Sequence, residues 1–85
     1  MKTTVMAILI SNRKDAAEKV QKILTGWGCL IKTRLGLHEG VLENCSDKGL
    51  IILELVGTDE QKEELLHKLS LVNGVSAKKI ELSVD

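Results

Sequence analysis

The sequence predicts an α+β fold in which two helices cover one face of a four-stranded antiparallel sheet, in the order β-α-β-β-α-β. Three kinds of pattern support it: two short apolar runs, two stretches with apolar residues at helical spacing, and two stretches in which apolar and polar residues alternate. The apolar runs need cover on both faces, which favours central strands, whereas lysines in the alternating stretches favour edge strands. In the ferredoxin-like arrangement of this order, the first and third strands are central, so the local patterns agree with one topology.

The first strand and the first helix come from the N-terminal third of the chain. Residues 4–11, TVMAILIS, form an apolar run of strand length. Asn12 can then cap a helix, and Asp15 lies in its first turn, where the helix dipole favours an acid. The predicted buried stripe comprises Ala16, Val20, Ile23 and Trp27, with Ala17 and Leu24 beside it. We expect Gly26 and Gly28 to end the helix, because glycine readily adopts a left-handed conformation there.

The remaining elements follow from the same kinds of pattern. Residues 29–37 alternate apolar side chains with Lys32 and Arg34, as in a half-exposed edge strand, and residues 50–57 are apolar on both faces except at Glu54. Thr58 begins a capping-box sequence at the start of a second helix. That capping box is completed by Gln61, and the helix has a buried stripe of Leu65, Leu66, Leu69 and Val72. An Asn-Gly turn at residues 73 and 74 leads into a last alternating strand, residues 75–84.

Length and composition limit the classes of protein to consider. The chain has 85 residues, which we assign to a single domain, 1–85. The 12 basic and 12 acidic side chains cancel, and Trp27 is the only aromatic residue, which argues against a protein that mainly binds nucleic acid. The apolar N-terminal segment is too short to span a bilayer. We interpret Cys29 and Cys45 as cytosolic thiols and expect a cytoplasmic protein without a membrane segment.

The central strands carry more apolar surface than two helices can cover. One set of side chains comprises Met6, Ile8, Ile10, Ile51, Leu53 and Leu55, and the opposite set comprises Val5, Ala7, Leu9, Leu50, Ile52 and Val56. One set must lie on the face without helices, as a patch of several hundred Å² at the upper end of what monomers expose. We therefore predict a homo-oligomer, a dimer or tetramer, and assign the first set to its interface. The alternative is a monomer whose long loop folds over the sheet.

The loop between the second and third strands contains candidate metal ligands. His38 and Cys45 are donors that transition metals prefer, and the carboxylates of Glu39, Glu43 and Asp47 are close in sequence. No CxxC, HxH or closely spaced histidine pair is present, and the glycines and polar residues are typical of a solvated connection. We therefore favour a polar loop over a site for a divalent transition metal. Metal binding through His38, Cys45 and a loop carboxylate remains the alternative function.

No pattern in the chain predicts catalysis. The serines lack the G-x-S-x-G context of a nucleophile elbow, and G-W-G precedes a strand, whereas a dinucleotide-binding motif opens a helix. We interpret Cys29 as a small buried hydrophobic residue and His67 as a surface residue that flanks the second helix stripe. We therefore expect a protein that is not an enzyme and has no required cofactor.

Four short motifs resemble those of a known group. They are S-N-R-K-D at the first helix start, G-W-G before the second strand, R-L-G-L at its end, and L-x-x-V-N-G-V before the last strand. Over nearly its whole length the chain resembles the small, stand-alone ACT-like proteins called iron-only hydrogenase system regulators. Their fold is similar to the C-terminal, metal-sensing domain of the nickel-responsive repressor. The resemblance implies an ACT-like ferredoxin fold, assembly through the sheet, and a regulatory role with a small-molecule effector or a protein partner.

The resemblance also implies where ligands bind. ACT-type domains often bind small ligands near the first strand-to-helix turn and the subunit interface. By position, that region comprises Ser11, Asn12 and Arg13, with Arg34 and Gly36 as contributors. The repressor holds its metal around the second and third strands, where this chain has only His38 and Cys45 and lacks the full set of histidines. The repressor also has a separate N-terminal DNA-binding domain. In this chain the first strand begins within a few residues of Met1, so we do not expect direct DNA binding. We expect the protein to act through a partner.

Overall fold

The computed structural model describes residues 1–11, 14–38 and 49–85, and it contains the predicted elements in the predicted order. The elements are β1 (Lys2–Ile10), α1 (Lys14–Gly26), a short 3-10 helix (Gly28–Leu30), β2 (Ile31–His38), β3 (Gly49–Leu55), α2 (Asp59–Ser70) and β4 (Val75–Ser83). The strands form one antiparallel sheet in the order β2-β3-β1-β4. The prediction that the two apolar runs are central and the two lysine-bearing strands are edges is therefore confirmed.

Both helices lie on the same face of the sheet. Each connects a pair of parallel strands, α1 between β1 and β2 and α2 between β3 and β4, with one strand fitted between each pair. Between this face and the helices lies the core, with Ala16, Val20 and Leu24 from α1 and Leu65 and Leu69 from α2. The one buried polar residue among those described, Thr4, accepts a hydrogen bond of 2.9 Å from the Lys62 ammonium. Burial of Thr4 therefore leaves no unsatisfied hydroxyl.

The same geometry corrects the predicted oligomer interface. The six residues assigned to it lie on the helix-covered face and are 0–6% exposed: Met6, Ile8, Ile10, Ile51, Leu53 and Leu55. They pack against α1 and α2 within one chain, so they are core residues and not a surface for a second copy. Alternation along a strand separates the two faces but does not say which of them the helices cover. The opposite set is the exposed one.

Helix α2 begins and helix α1 ends where the local patterns predict, but only the start of α2 has the predicted local geometry. At α2 the capping box is confirmed: Gln61 N–H donates to Thr58 Oγ1 at 3.1 Å, and Thr58 N–H donates to Gln61 Oε1 at 2.9 Å. Helix α1 ends at Gly26, as predicted, but the left-handed conformation expected at Gly26 and Gly28 is wrong, because positive φ among the described glycines occurs at Gly57 and Gly74. Instead, the N–H of Trp27 donates to the Ile23 and Leu24 carbonyls, and the chain continues into the 3-10 helix. Asn12, the predicted cap of α1, lies outside the described residues.

The 3-10 helix also corrects the interpretation of Cys29. Its thiol is free and exposed, whereas the sequence pattern predicts a buried residue at the start of β2. The strand begins two residues later, at Ile31, and Leu30 is the buried residue of this turn. A short helical turn breaks the period of two, so the alternation that begins at Cys29 does not report its environment.

A substitution at Gly57 tests the turn that leads from β3 into α2. Gly57 has φ of 104°, and an added Cβ would lie 2.5 Å from Leu30 Cδ2 and 2.7 Å from Gln61 Oε1. We expect Gly57→Ala to lower the free energy of unfolding by about 2 kcal/mol or more, because the backbone strain adds to a clash with the capping box. Urea denaturation measures it. Gly36→Ala is the control, since that position has open space around it and should change stability by less than about 0.5 kcal/mol.

Candidate functional site

The sheet face opposite the helices exposes a continuous apolar surface, which we call the open face. Its apolar residues are Val5, Ala7 and Leu9 of β1, Leu35 of β2, Leu50 and Ile52 of β3, and Ile80 and Leu82 of β4. The outer members are about half exposed: 51% at Leu9, 53% at Leu35, 57% at Ile80 and 54% at Leu82. Together they form an apolar patch of the size that marks interaction surfaces on soluble proteins.

Two charged residues, Glu54 and Lys78, interrupt the open face on opposite sides. Glu54 accepts a hydrogen bond of 3.1 Å from Thr33 Oγ1 and lies 3.7 Å from the Lys32 ammonium. Lys78 lies on β4, opposite Ala7. Beside its apolar residues, the open face therefore carries the Glu54 carboxylate with its Lys32 partner near the β2 edge and the Lys78 ammonium at the β4 edge.

A cleft of about 370 Å³ lies where β1 ends and β4 begins. It is lined by Leu9, Ile10, Ser11, Gly74, Val75 and Ser76. Two features fix this end of the sheet: the N–H of Ser11 donates to the Gly74 carbonyl at 2.8 Å, and Gly74 has φ of 83° in the turn that precedes β4. Leu9 and Ser76 belong to the open face, so the cleft lies at the border of the apolar surface. Its volume is in the range of small-molecule sites.

A second, smaller cleft lies at the opposite end of the same two strands. It has a volume of about 240 Å³ and is lined by Met1, Thr3, Leu82, Ser83 and Val84. Met1 and Val84 hold this end together, because each donates its N–H to the carbonyl of the other at 3.0 Å. The β1–β4 pair thus carries one cleft at each end.

The predicted ligand-binding residues divide into three groups. Ser11 lines the larger cleft, whereas Asn12 and Arg13 lie outside the described residues. Arg34 of β2 pairs with Leu53 of β3, which in turn pairs with Met6 of β1. Met6 and Ser11 are separated by about 16 Å along β1, so Arg34 is distant from the cleft at Ser11. Its guanidinium donates a hydrogen bond of 2.6 Å to Gln21 of α1.

Gly36 is the last residue of the predicted ligand-binding set. It is exposed on β2, opposite Ile51. The structure therefore does not bring Arg34 or Gly36 to the cleft at Ser11. Sequence reasoning missed the β4 side of the cleft: Gly74, Val75 and Ser76. The Asn-Gly turn at residues 73 and 74 could have indicated these residues, but only together with the pairing of β1 with β4.

Most of the candidate metal ligands lie outside the described residues. Cys45, Glu39, Glu43 and Asp47 are outside the described residues, and His38 is placed only as the last residue of β2. Within residues 1–11, 14–38 and 49–85, no group of three or more His, Cys, Asp or Glu side chains has the proximity of a metal site. His67 is exposed on α2, as the sequence predicted.

An ion pair connects β4 to α2 at the edge of the sheet. The Lys79 ammonium lies 2.7 Å from Glu63 Oε1, and this hydrogen bond raises the pKa of Lys79 above its ordinary value of 10.5. The charges of Glu63, Glu81 and Asp59 act in the same direction. The helix-side surface of β4 therefore holds one lysine among several carboxylates.

The comparisons with known proteins define the fold class. No family profile matches this chain, and no curated protein matches it. Among solved structures, an uncharacterized protein from Thermotoga maritima superposes with a TM-score of 0.82 at 25% identity, covering 98% of this chain and 100% of that one. The ACT domain of a GTP pyrophosphokinase from Chlorobium tepidum matches with a TM-score of 0.60 at 12% identity, covering 92% and 96%. A PII-like signaling protein from Thermus thermophilus matches at 0.56 and 15%, covering 96% and 88%.

These likenesses establish a ferredoxin-like α+β fold of the kind found in ACT domains. The fold class predicted from the sequence is therefore confirmed, and the predicted ACT-like character is supported at the level of the fold. In the described part of the chain, no helix is long and apolar enough to cross a membrane.

The ion pair at Lys79 gives a prediction about pH. Because the folded-state pKa of Lys79 is raised, its stabilising contribution is present below about pH 10.5 and is lost as the pH rises through the folded-state value. We expect Glu63→Gln to lower the urea midpoint at pH 7, and the difference from the parent chain to shrink above pH 10.5. Glu64→Gln, one residue along the same helix, is the control. An equal loss in both variants, or a difference that grows at high pH, would contradict the assignment.

Proposed function

We propose that this protein is a non-catalytic regulatory module that binds a small effector in the cleft beside Ser11 and acts as a homo-oligomer. The observation that carries the proposal is the position of the cleft. It lies at the first strand-to-helix turn and borders the exposed apolar face of the sheet. A ligand in this cleft would contact the C-terminal end of β1 and also any second copy of the molecule that covers the open face.

The lining of the cleft favours a small amphipathic effector. Leu9, Ile10 and Val75 offer apolar contacts, and the two serines, Ser11 and Ser76, make part of the wall polar. Small-molecule sites commonly combine mostly apolar walls with a few polar groups that orient the ligand. Free amino acids and similarly small metabolites have this combination of polar and apolar parts, so they form the first class of effector to test.

The open face supports the oligomer. Several half-exposed leucine and isoleucine side chains form one surface on a domain of only 85 residues. Burying such a surface contributes about 25 cal/mol per Å², which is several kcal/mol for a patch of this kind and comparable to the stability of a small domain. We propose that other copies of the chain cover it, in a dimer or a tetramer.

The process that the module regulates is proposed from the resemblance found in the sequence. The motifs around the first helix, G-W-G and the last turn resemble those of iron-only hydrogenase system regulators, and similarity to ACT and PII-like folds agrees with a regulatory role. We propose that the protein regulates a hydrogenase-type system through a protein partner and not by direct DNA binding. Loss of the gene should change hydrogenase levels in the host, and unchanged levels would contradict this part of the proposal.

A thermal-shift screen of amino acids and divalent metals tests the effector site. An effector at about ten times its dissociation constant should raise the melting temperature by about 5–10 °C. Ser76→Trp should abolish that shift, because the indole would fill the cleft beside Ser11. Lys22→Trp is the control, since it places the same side chain on the exposed surface of α1, away from both clefts. A screen without any stabilising compound, or a shift that survives Ser76→Trp, would overturn the site.

Sedimentation tests the oligomer. We expect a mass of at least twice 9.3 kDa at micromolar concentration. Leu35→Lys should lower that mass, because it places a charge in the open face where 53% of Leu35 is exposed. Leu71→Lys, at an exposed leucine after α2, is the control and should leave the mass unchanged. A parent chain that sediments at 9.3 kDa would contradict the oligomer.

A further inference from the structure

The outer edge of β4 carries backbone groups that point away from the sheet, and the hydrogen bonds of the sheet identify them. Met1 and Val84 exchange two N–H···O bonds, and Ser11 N–H donates to Gly74. Because hydrogen-bonded and non-hydrogen-bonded pairs alternate in an antiparallel ladder, the even-numbered residues of β4 bond to β1. The N–H and C=O groups of the odd-numbered residues Ala77, Lys79, Glu81 and Ser83 therefore face outward, whereas the N–H of Val75 donates to the Val72 carbonyl.

We propose that this edge pairs antiparallel with the same edge of a second copy of the chain, in a register centred on Ile80. The proposal rests on the homo-oligomer of the preceding section and names one of its interfaces. It would join two four-stranded sheets into one continuous sheet of eight strands, with all four helices on the same side.

Backbone geometry and charge together select this register. Outward-facing groups can bond only to outward-facing groups, so odd-numbered residues must lie opposite odd-numbered residues of the other copy. Centring the pair on Lys78, Lys79 or Glu81 would place two like charges directly opposite each other, which is destabilising. Centring it on Ile80 places Lys79 opposite Glu81 of the partner subunit, and two-fold symmetry repeats that pair. Registers centred farther toward either end of β4 shorten the paired length.

The register centred on Ile80 also uses the exposed apolar residues of β4. Ile80 would meet Ile80 of the partner subunit across a non-hydrogen-bonded position, where Cα atoms lie about 4.5 Å apart. Leu82 would lie opposite Lys78 of the partner subunit, whose aliphatic stem can cover it. Ile80 and Leu82 are 57% and 54% exposed in the single chain, so the pairing removes apolar surface as well as satisfying backbone groups.

The other edge of the sheet is less suited to self-pairing. β2, Ile31–His38, contains Lys32 and Arg34 and no carboxylate. Self-pairing of this strand could not place a carboxylate of β2 opposite Lys32 or Arg34, and basic side chains on an edge strand disfavour pairing. In β4, by contrast, Lys79 and Glu81 are two residues apart, so self-pairing can place each of them opposite the other in a second copy.

This pairing would bring the partner subunit to the rim of the proposed effector site. In the register centred on Ile80, Ser76 of one chain lies opposite Val84 of the other. Ser76 lines the larger cleft and Val84 lines the smaller one, so each large cleft would meet the small cleft of the other chain. A ligand there would contact both subunits, which gives its binding a direct effect on assembly.

Cysteine cross-linking tests the register. In a Cys29→Ser, Cys45→Ser background, Ile80→Cys should form a disulfide-linked dimer under mild oxidation, because the expected Cα separation of about 4.5 Å suits a disulfide. Leu82→Cys is the matched control on the same face of β4. Its two copies would lie about 14 Å apart along the strands, so it should cross-link at least about tenfold more slowly. Cross-linking of Leu82→Cys at an equal or higher rate would overturn the register.

Two further measurements do not depend on the cysteines. Glu81→Lys should weaken the dimer by placing a second ammonium opposite Lys79 of the partner subunit, and the added change Lys79→Glu should restore it, with circular dichroism reporting the fold of each variant. In the parent chain, hydrogen exchange at the Lys79 and Glu81 amides should slow by more than about tenfold as concentration rises from monomer to dimer. Concentration-independent exchange at these amides would overturn the pairing.

The outcomes separate this inference from the proposed function. If the chain is oligomeric but Ile80→Cys does not cross-link, edge pairing is wrong and coverage of the open face stands. If the chain is a monomer, both the edge pairing and the oligomer are wrong. If Ile80→Cys cross-links and no effector is found, the edge pairing stands and the effector site is wrong.

Discussion

The structure depends on one asymmetry: both central strands are apolar on both faces, and the helices cover only one of those faces. On the covered side, β1 and β3 pack with the two helices into a core whose residues are almost fully removed from solvent. On the other side, the same strands present leucine, isoleucine and valine to water. The hydrophobic effect that folds the domain is therefore only partly used within one chain, and the proposed association would let the remaining apolar surface stabilise it.

Charge placement decides how such a surface can be covered without uncontrolled aggregation. The charged residues of edge strand β2, Lys32 and Arg34, are both basic. Strand β4 instead combines Lys79 with Glu81 and carries Lys78 on the open face. Within one chain, Lys79 already fastens β4 to Glu63 of α2. In the proposed pairing, one edge disfavours self-association and the other permits it in a particular register. The same charged side chains would then serve both packing within the chain and the choice of partner.

The candidate effector site arises from the meeting of two chain segments that are distant in sequence. Ser11 ends β1 and Gly74 precedes β4, and their backbone hydrogen bond brings a strand-to-helix turn next to a glycine turn. The cleft borders an apolar face, so in the proposed function a ligand that occupies the cleft would also affect assembly.

Residue patterns along the chain predicted the element order, the central and edge strands, the capping box at Thr58 and the buried stripes of both helices, because each depends on residues close together in sequence. Which face the helices cover could be read only from the folded structure, since alternation is symmetric between the two sides of a strand. There the predicted interface set that contains Met6 and Leu53 is buried under the helices, and the set around Ile52 and Ile80 is the exposed one. The folded structure also placed Ser11 beside Gly74 and Ser76 and kept Arg34 apart, because strand pairing, and not proximity in sequence, sets those distances.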